Sequence, residues 1–231
     1  MTQSIWDNCR IAVFDIDGTL YDPAPMRLRM VAMVGWHALT TLDPKLVKLI
    51  SMLRRRREAL AEAETQGFEH QLIADVASAT GRSQPAVRAI LDDWFDRRPL
   101  PFLRQYLVPG VAPLFAALRR RNIQIGVLSD HRAREKLAAL GLSADFIVSA
   151  VDPDVAIQKP SPKGLNLLLA RAGRLPAEAI MIGDRADRDG AIASRAGTGF
   201  LLRGTGPDAH FNRFDEPLFL PLLNHNKQPA T

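Results

Sequence analysis

Ile11-Ala12-Val13-Phe14-Asp15-Ile16-Asp17-Gly18-Thr19-Leu20 is the stretch whose reading decides the fold. Four apolar residues rich in β-formers open it, the composition of a strand buried on both faces. Two carboxylates two residues apart follow, then a glycine and a threonine. At strand period Asp15 and Asp17 would share a side, and Gly18 suits a sharp turn there. Both acids are therefore expected at the carboxyl end of the strand, the edge at which open α/β sheets bind ligands.

Carboxylates held this close repel one another, and a cation relieves the repulsion. A hard divalent ion such as Mg2+ takes oxygen ligands and commonly combines one or two carboxylates with substrate phosphate. One acid is then available as a nucleophile and its neighbour as an acid and base. The plain alternative is a strand that ends in a polar turn with a capping Asp.

The chain has 231 residues, enough for one good core or for a core with a small accessory domain. Hydrophobic residues make up 47% and charged residues 24%, the balance of a soluble globular protein. The formal net charge of +5 suits an anionic ligand. A single cysteine, Cys9, excludes an internal disulfide and a cysteine zinc cluster. Residues 1–8 lack a basic region followed by an apolar run, and residues 30–39 fall short of a membrane span, so a cytoplasmic protein without membrane partners is expected.

Beyond the first strand the pattern turns helical. Helices are predicted over residues 25–41, from Asp43-Pro44 to about Glu64, over 69–79 and from Ser83-Gln84-Pro85 to Phe95, with a loop over 96–101. From Val111 helices and strands alternate, with strands predicted at 123–128, 146–149, 180–182 and 199–202. Alternation of this kind implies parallel strands joined by right-handed crossovers. The expected architecture is thus a doubly wound α/β core, residues 1–22 and 107–231, with residues 23–106 inserted as an all-helical cap. The segment after Gly204 reads as irregular chain packed on the core, frayed after Asn224.

The ends of the predicted strands carry the remaining chemistry. Ser129-Asp130 ends the second strand; its hydroxyl and free N–H groups suit a phosphate oxygen, though the pair also suits a helix cap. Lys159, before a helix start, offers a compact charge to a carboxylate and a phosphoryl group, although most lone lysines are surface residues. Ile180-Met181-Ile182-Gly183-Asp184 places an acid after an apolar strand, with Asp187 and Asp189 close behind. Phosphate loops of the Gly-x-Gly-x-x-Gly and Walker types are absent, as is a Gly-x-Ser-x-Gly elbow. His37, His70, His210 and His225 are scattered and read as structural or exposed. Arg54-Arg55-Arg56-Arg57 spreads around a helix instead of forming a nucleic-acid stripe, and pairing with Glu58, Glu62 and Glu64 is expected.

Taken together, Phe-Asp-Ile-Asp-Gly-Thr-Leu, Ser129, Lys159-Pro160-Ser161-Pro162 and Gly183-Asp184 resemble, in order, the four motifs of the haloacid dehalogenase-like (HAD) hydrolases. Asp130 departs from the usual Asn of the second motif, and Ser161 from the usual Asp of the third. The layout is similar to that of helical-cap phosphatases such as phosphoglycolate phosphatases and β-phosphoglucomutase-like proteins, which implies strand order 5-4-1-2-3. The resemblance implies a Mg2+-dependent phosphomonoester hydrolase acting on a small phosphorylated metabolite, with no nucleic-acid partner. Asp15 would form the aspartyl-phosphate and Asp17 would serve as acid and base. Asp15, Asp17 through its backbone carbonyl, and Asp184 would hold the metal, with Asp187 or Asp189 behind them. Gly18, Thr19, Ser129, Asp130 and Lys159 would surround the phosphoryl group. The alternatives are a phosphomutase, a nucleic-acid-binding protein on the same core and a catalytically silent protein. Dehalogenation fits least, because Asp17 suits acid–base chemistry on a phosphoester.

Overall fold

The computed structural model describes residues 4–41 and 45–224. The expected helix start at Asp43-Pro44, His225 and the frayed tail lie outside the described residues. Strand β1 (Ile11–Phe14) is buried at every position. Helices α1 (Pro23–Thr41), α2 (Lys45–Glu62), α3 (Phe68–Thr80) and α4 (Gln84–Leu91) follow it. Ser83 caps α4 by accepting from the N–H of Ala86, with Pro85 in the first turn. The chain then continues through a π turn, Asp92–Arg97, and a 3₁₀ turn, Leu100–Tyr106, where a loop over 96–101 was expected. The wider turn keeps Trp94 buried, and Arg98 N–H bonds to the carbonyl of Asp93, 2.9 Å away.

The helical segment is tied to the rest by two chain connections that lie side by side. Asp22 N–H donates to Tyr106 O and Val108 N–H to Leu20 O, each at 2.9 Å, around an antiparallel bridge of Tyr21 with Leu107. Leu49, Leu53, Leu60, Phe68, Leu72 and Val87 form an apolar cluster within the segment, while Met26, Met30, Leu46 and Ile50 join the main core. The arginine run does not pair with its own acids as expected. Arg56 pairs with Asp75 of α3, whereas Glu58 reaches Arg188 at 2.9 Å and Glu64 reaches Arg195 at 2.7 Å, both beyond the insertion. Partners across the junction win because they lie opposite the acids, while the flanking arginines turn to other faces of α2.

Beyond Val108 come α5 (Val111–Arg120), β2 (Gln124–Ser129), α6 (Ala133–Ala139) and β3 (Phe146–Ser149). They are followed by α7 (Lys163–Ala172), β4 (Ala179–Gly183), α8 (Ala191–Ala196) and β5 (Gly199–Leu202). The strands form one parallel five-stranded sheet in the order β3-β2-β1-β4-β5, the expected order with the first strand central. Phe14 sits opposite Val127 on one side and Ile182 on the other, so the carboxyl ends of three strands gather at one edge within two residues of one another.

Strand period divides the core into two. Ile11 and Val13 pack with Leu165, Leu168 and Ile192 of α7 and α8. Ala12 and Phe14 face α5, α6 and the C-terminal segment, where Phe211, Phe214 and Phe219 are buried. That segment ends in α9 (Leu220–Leu223), and Phe14 lies with its ring centroid 4.9 Å from Phe115 and 6.1 Å from Phe214. Phe14→Ala should therefore cost about 3–5 kcal/mol of stability, read from the midpoint shift in urea unfolding. A loss under about 1 kcal/mol would show that the neighbouring rings collapse into the space.

Candidate active site

Where β1 ends, Asp15 still pairs as a strand residue, its N–H donating to the Ile182 carbonyl at 2.9 Å. Gly18 then turns the chain at φ +98°, and the carbonyl of Gly18 is held by the guanidinium of Arg203, just past β5. A Cβ on Gly18 would lie 1.9 Å from the Oδ2 of Asp184, so glycine lets the carboxylates of two strand ends close on one point. Gly183 plays the same part for Asp189, whose Cγ would stand 2.3 Å from an added Cβ.

Lys159 is the centre of this arrangement. Its ammonium lies 2.5 Å from the Oδ1 of Asp15 and 2.6 Å from the Oδ1 of Asp189, with all three side chains buried. Burial works against the charged ammonium, but Asp15 and Asp189 outweigh it, and its pKa is driven well above the ordinary lysine value. Asp130 fixes the lysine from behind, its Oδ1 accepting from the Lys159 N–H at 2.9 Å. The acid that stands where the resembled second motif has Asn thus braces a loop. The neighbouring Arg132 pairs with Asp92 and Asp96. Ser129 is buried and accepts from the His131 N–H at 3.1 Å, and Thr19 donates to Asp15 at 3.3 Å.

Asp15, Asp184 and Asp189 present carboxylate oxygens that all lie within 4.8 Å of one another. Of the two candidates behind the strand, the structure brings Asp189 into this cluster and leaves Asp187 exposed, paired with Arg185 at 2.8 Å. Three carboxylates against one lysine leave two negative charges uncompensated. Burial, followed by the charge of Asp189, lifts the Asp184 pKa to about 6, and burial with the neighbouring acids raises Asp15 well above the carboxylate range. An all-oxygen set with this surplus fits a hard divalent cation.

Asp17 is oriented elsewhere. Both of its oxygens receive the Lys136 ammonium, at 2.6 and 2.8 Å, and the Tyr21 hydroxyl donates to Oδ1. Burial alone would raise the Asp17 pKa, but the Lys136 charge and these hydrogen bonds carry it well below the usual carboxylate value. Its carboxylate is therefore not among those of the Asp15, Asp184 and Asp189 cluster. Sequence reasoning missed Lys136, yet a signal was present. Ala133, Lys136, Leu137 and Leu140 recur at helical spacing, so this lysine interrupts an apolar stripe and is buried with it. It also missed Arg188, which is buried and donates to the Lys159 carbonyl at 2.6 Å while pairing with Glu58 of α2.

The model of the haloacid dehalogenase-like hydrolase family matches residues 9–197. The chain belongs to that family. This HAD-like hydrolase is 30% identical over 157 residues to a phosphoserine phosphatase of Thermus thermophilus, a match that covers 65% of this chain and 61% of that enzyme. It is 27% identical over 199 residues to a glyceraldehyde 3-phosphate phosphatase of Methanopyrus kandleri, covering 81% of each. Among solved structures, a 2-haloacid dehalogenase from Pseudomonas syringae pv. Tomato superposes with a TM-score of 0.64 at 24% identity, covering 92% of this chain and 96% of that one. That likeness concerns the fold. Among the described residues of this HAD-like hydrolase, no helix is long and apolar enough to cross a membrane.

The Lys136–Asp17 pair yields a test of stability. Asp17 has a lowered folded pKa, so its contribution is present above the unfolded value of about 3.9 and is lost as pH falls through the folded one. Lys136→Met strands the carboxylate in a site where the lysine is 5% exposed and the acid 28%. The expected cost is about 2–4 kcal/mol at pH 7, shrinking in acid as the stranded carboxyl takes up a proton. Urea unfolding of both forms at pH 7 and pH 5 reads the difference; a deficit that grows in acid would contradict the pairing.

Proposed function

We propose that this chain is a phosphomonoesterase that uses Mg2+ and an aspartyl-phosphate to hydrolyse a small phosphorylated metabolite, with residues 23–106 acting as a cap over the site. The observation that carries the reading is the division between the two acids of the first strand. Lys159 orients Asp15 within the carboxylate cluster, and Lys136 with Tyr21 holds Asp17 beside it on a separate set of contacts. Relatives named phosphoserine phosphatase and glyceraldehyde 3-phosphate phosphatase support the reaction class. A carboxylate at position 17 favours phosphoester chemistry over dehalogenation, because an alkoxide leaving group needs a proton and a halide does not.

In this reading Asp15, Asp184 and the Asp17 carbonyl hold the metal, which supplies charge neutralisation at the phosphoryl oxygens when bound. A carboxylate oxygen of Asp15 attacks phosphorus in line with the departing alcohol, and the P–O bond to that alcohol breaks. Asp17 delivers a proton to the alkoxide. It then takes one from the water that attacks the aspartyl-phosphate, releasing inorganic phosphate and restoring Asp15. The resting contacts of Asp17 favour the carboxylate, the form required in the second half. The negative charge of an arriving phosphoryl group favours its protonation for the first. Lys159, the Ser129 hydroxyl and N–H groups after Asp17 fix the phosphoryl oxygens, so positioning and electrostatics supply most of the acceleration.

Phosphate release from a panel of phosphorylated metabolites with Mg2+ present tests the reading. Asp15→Asn should reduce release to background in a folded protein. Asp17→Asn should lower turnover by about 10²–10⁴-fold and let acid-stable or trapped phosphoenzyme accumulate. Turnover near that of the unaltered protein in Asp15→Asn would remove Asp15 as nucleophile. Asp184→Ala should raise the Mg2+ concentration for half-maximal activity by about tenfold or more. An unchanged Mg2+ requirement would remove Asp184 from the metal site.

A further inference from the structure

The space next to Asp15 and Lys159 does not end at the phosphoryl position. A pocket of about 180 Å3 lined by Asp15, Lys159 and Asp184 shares Asp17, Arg27, Arg57, Glu58 and His131 with a second cavity of about 460 Å3. The larger one lies between the helical segment and the sheet edge. Its walls have two characters. Met26, Met30, Trp94 and Phe95 supply an apolar surface, and Arg27, Arg54 and Arg57 supply positive charge.

Among the described residues, none of these three arginines forms an ion pair with a protein carboxylate, although Arg57 lies in the field of Asp130 and Asp96. Asp17 and Lys136 neutralise each other, and Glu58 at the rim is taken by Arg185 and Arg188. Among the described residues, neither Arg27 nor Arg54 has a carboxylate partner; Arg54 lies over the Phe95 ring, 5.7 Å from its centroid. Arg54 and Arg57 are three residues apart on α2 and therefore share the face turned to the cavity. Arg57 is only 7% exposed, donates through Nη2 to the Asp130 carbonyl and leaves its buried Nε without a partner. A buried guanidinium donor without an acceptor is costly. An arginine fork matches the oxygens of a carboxylate or phosphate.

We propose that this chamber receives the leaving-group alcohol, and that the alcohol carries both a second anionic group and a bulky apolar body. The inference rests on the phosphomonoesterase reading and adds the class of substrate. The anion lies against Arg54 and Arg57, with Arg27 across the chamber, and the apolar body covers Met26, Met30 and Trp94. Neither property alone fills the site. A small hydroxy acid leaves the apolar wall wet, and a neutral apolar alcohol leaves Arg57 Nε unsatisfied.

Three alkyl monophosphates separate these contributions: 2-phospho-3-phenyllactate with both groups, 2-phospholactate with the carboxylate alone, and 2-phenylethyl phosphate with the ring alone. The expected result is a kcat/KM for the first at least tenfold above each of the others, carried mainly by KM. Arg54→Gln and Arg27→Gln should each lower that preference over 2-phenylethyl phosphate by several-fold, with Arg54→Lys restoring part of it. Equal kcat/KM for all three, or a preference that survives both glutamine variants, overturns the substrate class while leaving the phosphatase reading intact. Calorimetric binding of the matching phosphonates, which cannot be hydrolysed, separates the two readings in the other direction. Tight binding of the phenyl carboxylate phosphonate without turnover of any ester supports the chamber and sinks the reaction. Absence of both binding and turnover overturns both.

Discussion

A single buried ammonium, that of Lys159, decides what the rest of the site can be. Placed between Asp15 and Asp189, it lets two carboxylates sit in an interior where either alone would be costly. It does not cancel the third, Asp184, and the remaining negative charge is the reason the cluster suits a divalent ion. The supports of Lys159 follow from that role. Asp130 holds its backbone N–H and Arg188 its carbonyl, so the lysine reaches inward from a loop fixed at both polar atoms of one peptide residue.

The sheet makes this meeting possible. Asp15, Ser129 and Asp184 come from β1, β2 and β4 or their ends, strands that are adjacent in space though far apart in sequence. Parallel register brings their carboxyl ends to one edge, and glycines at 18 and 183 remove the side-chain bulk that would keep the acids apart. Long-range topology and two missing Cβ atoms thus act on the same few ångströms.

Much of this was legible in the chain because it depends on local pattern. The apolar run of β1, the alternation after Val111 and the acids at strand ends all follow from period and turn chemistry, while the central place of β1 was implied by the resemblance of the four motifs to those of HAD-like hydrolases. What could not be read depends on contacts between distant segments. Asp130, a departure from the usual Asn of the second motif, is explained only by a distant partner, the N–H of Lys159. The arginine run gave its helical spread correctly, but only the packing of α2 on the sheet edge decides that Arg57 turns inward and Arg56 pairs with Asp75. The stretch 96–101, expected as a loop, carries Asp96, Arg97, Arg98 and two prolines, which weaken an α-helical pattern. Burial of Trp94 and Leu103 sustains wider and tighter helical turns there instead.

The entry and exit of the helical segment are hydrogen-bonded to one another on both sides of the Tyr21–Leu107 bridge. Two independent tethers would permit twisting, sliding and tilting of the helices above the sheet. A paired ribbon resists shear along its length and bends most readily across it, which removes most of those degrees of freedom. Any displacement of residues 23–106 is thereby steered toward rotation about one axis, close to Asp17. The Glu58–Arg188 and Glu64–Arg195 pairs fasten the far part of α2 across the junction, so such a rotation has to break ion pairs at one end while the ribbon at the other end stays intact.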